Sequence, residues 1–187
     1  MEQPFSLVSK QYLNTFYQIL EQMIQGMTCN ELTDSISYNF IVQMIPHHCA
    51  AIEMSQNLLQ YTTDVPLQNI ALQIVEEQTK SIAQMEAIQN TCRQRCNSEQ
   101  DVVLYQRCMD QIMQLMFHRM ETARVNNNIN CSFMWEMIPH HEGAVSMSQM
   151  TLRFDICPDL KPILEAIVTS QRQGIRQMRR LLRCQRC

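Results

Sequence analysis

The chain has 187 residues, a net charge of −3, nine cysteines, fifteen methionines and only three glycines. That length buries a sizeable core in one domain or two, and the near-neutral charge gives no ground for a nucleic-acid partner. No apolar run approaches the ~20 residues of a membrane span.

Few glycines and prolines, set against abundant Gln, Leu, Ile and Met, indicate an all-α protein. The first helix is predicted over about 7–26, with Tyr12, Phe16, Ile19, Met23 and Met27 as its apolar stripe. A second follows over about 33–61. A third starts near Pro66, a residue tolerated in a first helical turn, and carries Leu67, Ile70, Ile74, Gln78, Ile82 and Met85. The pattern then recurs. A fourth helix is predicted over about 99–124, Asn126, Asn127 and Asn128 mark a loop, a fifth covers about 131–154, and a sixth carries Leu160, Ile163, Ile167, Gln171, Ile175 and Met178.

The recurrence has one register. Tyr12 matches Tyr105, Met23 matches Met116, Gln78 matches Gln171 and Met85 matches Met178, each 93 residues apart with no net gap. The chain therefore reads as two pseudo-symmetric three-helix repeats, 1–95 and 96–187, packed as one globular unit. In each repeat the second and third helices should form a hairpin. Two hairpins then make a four-helix core with the first helices outside, and two separate three-helix modules are the alternative.

The repeat also carries chemistry. Met44-Ile45-Pro46-His47-His48 returns as Met137-Ile138-Pro139-His140-His141, followed by Met54 and Met147, and these pairs hold four of the five histidines. At about 100° per residue, Met44, His47, His48, Ala51 and Met54 share one helix face. Met85 and Met178 lie on the inward stripe of the third helix in each repeat. Pro46 and Pro139 stand directly before the histidines, where proline either kinks a helix or opens one.

Thioether selects Cu(I), whereas imidazole alone would also suit zinc, Cu(II), nickel or iron. Copper as Cu(I) is the expected metal and zinc the alternative, with one site per repeat. The ligands are drawn from Met44, His47, His48, Met54 and Met85, and from Met137, His140, His141, Met147 and Met178. The paired Glu-x-x-His of di-iron bundles is missing, as are a Ser-His-Asp arrangement and a phosphate loop, so no enzyme is expected. A non-catalytic helical interaction protein with core histidines is the competing reading, and a metal-dependent oxidoreductase a third. A metal ion is the expected partner, and a homodimer is compatible with the chain.

Of the cysteines, 29, 49, 108, 131 and 157 are read as buried inert thiols. Cys92/Cys96 and Cys184/Cys187 each close a repeat and could pair, act in redox chemistry or bind metal. The opening MEQPFSLVSK lacks the basic and apolar regions of a secretory signal, so a cytoplasmic location is expected as given, and export if a leader was trimmed.

The Met-Ile-Pro-His-His-x-x-Ala-x-x-Met motif, with a downstream Ile-x-x-x-Gln-x-x-x-Ile-x-x-Met helix, resembles the bacterial family catalogued as domain of unknown function 305. Both copies fit, over roughly 36–90 and 130–183. The resemblance implies a ferritin-like helical bundle, often exported, with copper-binding members, and makes the ten residues above candidate copper ligands. Two departures stand out. The family's aspartate seven residues before the motif methionine is Ser37 or Asn130 here, and its second acid is Ser81 or Gly174.

Overall fold

The computed structural model describes residues 4–185 and 187. It contains six α-helices and, among the described residues, no strand: α1 Leu7–Thr28, α2 Ile36–Leu59, α3 Val65–Arg93, α4 Glu99–Glu121, α5 Ile129–Thr151 and α6 Leu160–Gln185. No helix among the described residues is long and apolar enough to cross a membrane.

Small polar side chains set the starts of five helices. Ser6, Ser35, Asp64, Ser98 and Asn128 each accept a bond from the backbone N–H three residues on. Each satisfies a donor that the first turn leaves without a partner, which stabilises the helix by about 1 kcal/mol. The second helix starts at Ile36 rather than near 33 because Ser35 takes the cap. Thr33 is held outside by its N–H donating to Asn39 Oδ1 at 2.8 Å.

The helices pack as two hairpins, α2 with α3 and α5 with α6. The hairpins join through α2 against α5 and α3 against α6, while α1 covers α2 and α4 covers α5. A single hydrophobic cluster takes residues from all six helices, so the two halves share one core. Cross-repeat hydrogen bonds add to it: Asn127 Oδ1 accepts from the Ser6 N–H at 2.7 Å.

Both prolines lie inside continuous helices, which excludes a helix start at Pro46 or Pro139. Pro46 has no N–H for the carbonyl of Val42, and Asn30 Nδ2 donates to that oxygen instead at 3.0 Å. The helix α1 comes close at this point. A methyl group placed on Gly26 would lie 2.8 Å from Pro46 Cβ, so only glycine fits.

The cysteines depart from expectation. Cys131, in the first turn of α5, is disulfide-bonded to Cys187 across a Cα–Cα distance of 5.6 Å. Antiparallel packing of α6 on α5 carries the end of the chain back to the start of α5, which spacing alone does not reveal. Cys157 is buried as expected, Cys108 is half-buried, and Cys29 and Cys49 are exposed. Neither Cys92/Cys96 nor Cys184/Cys187 forms a bonded pair.

Candidate metal centre

The two histidine motifs meet where α2 crosses α5. The His47 and His140 rings stack with centroids 3.7 Å apart and planes 28° from parallel. The His48 and His141 rings each lie 5.9 Å from that of their sequence neighbour, so the four rings form one cluster. Sequence reasoning leads to a separate centre in each repeat. The folded chain brings both motifs to one place, because the helix faces that carry them are the faces by which the hairpins join.

Reciprocal hydrogen bonds hold the inner pair. His47 Nε2 lies 3.2 Å from the His140 carbonyl oxygen, and His140 Nε2 lies 3.1 Å from that of His47. A carbonyl can only accept, so both Nε2 atoms must carry the proton. In the neutral ring this leaves Nδ1 as a bare lone pair. Neither Nδ1 has a hydrogen-bond partner, and both are buried. The backbone therefore fixes the tautomer and keeps a coordinating nitrogen free.

Burial also keeps the rings neutral. It is the largest cause of the fall in pKa at all four histidines, from an ordinary 6.5 to about 4 at His140 and to about 3 at His48. The His47 and His141 rings are lowered well below that value too, with the neighbouring histidines as further causes. A metal would not compete with a proton here near neutral pH.

All ten predicted ligand residues are at most 2% exposed. Met44 precedes His47 by one turn of α2 and Met54 follows two turns later, and α5 repeats the arrangement with Met137 and Met147. Helix α3 meets the cluster at Ser81, whose Oγ is 3.1 Å from His48 Nε2. One turn further stands Met85. Helix α6 meets it at Gly174, where an added methyl would come within 2.9 Å of His141 Nε2, and Met178 is one turn further. Ser81 and Gly174 thus occupy matched places against His48 and His141, where the sequence departs from the acidic pattern.

Among the described residues, no three His, Cys, Asp or Glu side chains converge in a way that could hold an ion. The ten predicted ligand residues offer neutral ring nitrogen and thioether sulfur, donors suited to a soft cation rather than a hard one.

Glu136, which stands where the first repeat has Gln43, is a residue that the sequence analysis did not single out. It is 1% exposed, one turn before His140, and its Oε2 accepts from Tyr12 Oη at 2.7 Å. The signal was an acid on the apolar face of a helix. Burial raises its pKa from 4.5 to about 8, against the opposing effect of the Tyr12 bond. Between those values the unfolded chain ionises and the folded one stays protonated, so Glu136 costs stability increasingly as pH rises through that window. At pH 7 the cost is about 3 kcal/mol. Glu136→Gln keeps the shape and an acceptor for Tyr12, and should be more stable than the parent at pH 7.5 in urea unfolding, with the gap narrowing toward pH 5. Parallel stability–pH curves for the two proteins would refute a buried neutral carboxyl.

A search of curated proteins finds no match to this chain. Among solved structures, CopM in its Ag-bound form, obtained by soaking or by co-crystallization, is similar at a TM-score of 0.58 and 26% identity, over 82% of this chain and 97% of that one. A fragment from Deinococcus radiodurans, described as DUF305, is similar at a TM-score of 0.57 and 25% identity, over 79% of this chain and 95% of the fragment. The family model described as Domain of unknown function (DUF305) matches residues 37–182, a span containing both histidine motifs, all of α3, α4 and α5, and nearly all of α2 and α6. The chain belongs to the DUF305 family.

Proposed function

We propose that the protein binds soft monovalent metal ions, Cu(I) foremost, in its histidine–methionine core, and serves to sequester or carry them. The observation that carries this reading is the pair of reciprocal ring-to-carbonyl bonds. They hold two imidazoles neutral with Nδ1 unpartnered, inside a core where the methionines of both motifs are also buried. A ligand position on each side of the stack uses Met44, Met54 and Met85 with His47 and His48, and Met137, Met147 and Met178 with His140 and His141. The Ag-bound state of CopM supports the same class of ion, since Ag(I) and Cu(I) are both soft d10 monocations.

The test is an anaerobic Cu(I) titration of protein whose thiols have been alkylated, against a competing chelator. About two equivalents should bind tightly. The competing reading treats the rings as a structural stack, and it draws on the fact that their backbone bonds need no metal. It predicts no tight uptake.

A further inference from the structure

The cluster is not sealed on all sides. A cleft of about 190 Å³ lies between α3 and α6, and His48 forms part of its wall while His141 does not. Gln78 from α3 and Gln171 from α6 line the same cleft, 93 residues apart in sequence. Gln78 is 2% exposed and neither atom of its carboxamide has a protein hydrogen-bond partner. Gln171 is 3% exposed, with Oε1 equally unpartnered. A buried amide left so costs about 1–3 kcal/mol, and leucine would fill nearly the same space without that cost. Gln78 stands one turn before Ser81, which touches His48. The unpartnered amides and His48 thus mark a line from the surface inward.

We propose that the α3–α6 cleft is the ion entrance to the histidine cluster, and that the carboxamides of Gln78 and Gln171 form a transit site for a partly dehydrated monovalent cation bound for His48. This rests on the metal-binding reading above. A cation entering a helical bundle sheds water and needs replacement donors. Amide oxygens supply them without charge, and they hold a soft ion less firmly than the imidazole and thioether beyond. Passage requires that combination, favourable enough to admit an ion and weak enough to release it. Because the cleft reaches His48 and not His141, the first repeat loads before the second.

The kinetics of Cu(I) transfer test this with full-length, alkylated protein. Loaded protein is mixed with an excess of a chromophoric Cu(I) chelator, and release is followed by absorbance, with affinity measured separately at equilibrium. Two variants are compared with the parent: the double substitution Gln78→Leu with Gln171→Leu, and Ala166→Trp, which plugs the mouth from an exposed position on α6. Each should release Cu(I) at least about tenfold more slowly with unchanged affinity, and the double variant should unfold at no lower urea concentration. Parental rates in both variants would overturn the entrance. Slow release from Ala166→Trp alone would keep the entrance and overturn the transit site. If the parent never loads, the metal-binding reading itself falls, and this inference falls with it.

Discussion

Replacing His47 with alanine should weaken metal binding in both repeats, whereas replacing His48 should weaken it in one. The His47 ring covers the face of His140 at 3.7 Å and donates to its carbonyl. Without that ring a cavity opens beside His140, which keeps its own Nε2 bond to the residue-47 carbonyl but loses the stacked ring that packs its face. Supports of this kind typically alter metal affinity by about 10–100-fold when removed. In the Cu(I) titration, His47→Ala should lose one equivalent outright and bind the other at least about tenfold more weakly. The cavity and the lost hydrogen bond should also lower stability by about 3 kcal/mol, read from the urea midpoint. His48 is tilted against His47 at 5.9 Å rather than stacked on an inner ring, and it is bonded to Ser81 on α3. His48→Ala should therefore leave the second equivalent near its parental affinity. If His47→Ala and His48→Ala behaved alike, each removing one site and sparing the other, the stack would not couple the two halves.

The difference between these two histidines could not be read from the chain. The offset of 93 and the apolar stripes were enough for six helices in two matched repeats, because period and repeat are local properties, but they left one bundle and two separate modules both open. Helix ends moved by a few residues where capping chemistry intervened, as Ser35 did at the start of α2. Spacing also placed Met44, His47 and Met54 on one face. It did not show that this face of α2 would meet its own copy on α5, since the choice of partner face belongs to tertiary packing. The reciprocal ring-to-carbonyl bonds exist only after that choice. Cys131 and Cys187 illustrate the same limit at longer range: nothing local distinguishes Cys131 from the other scattered cysteines, and its partner comes from the far end of the hairpin. Glu136 was visible as an acid among apolar residues, yet its meaning depended on Tyr12 arriving from α1.

Acid should unfold the metal-free protein well before its carboxylates are exhausted. Each core histidine has a folded pKa below its ordinary 6.5, so between those values the unfolded chain binds a proton that the folded chain refuses. Stability from these groups is complete above pH 6.5 and is lost as pH falls. By pH 5 the loss is about 2 kcal/mol per ring, or about 4 kcal/mol for His48 and His140 together. His47 and His141 act in the same direction. Glu136 works against them, because its cost at neutral pH is relieved as the unfolded chain regains its proton. The parent should thus lose several kcal/mol between pH 7 and pH 5 against a total near 5–15 kcal/mol, and Glu136→Gln should lose more over the same interval. Urea midpoints at pH 7, 6 and 5 measure both curves. Cu(I) should move the acid curve back toward neutral stability, since it occupies the same unprotonated nitrogens and binds only the folded chain. A flat curve for the metal-free protein would mean that the core admits a charged or hydrated imidazole. The bare Nδ1 lone pairs would then not be held ready for a metal.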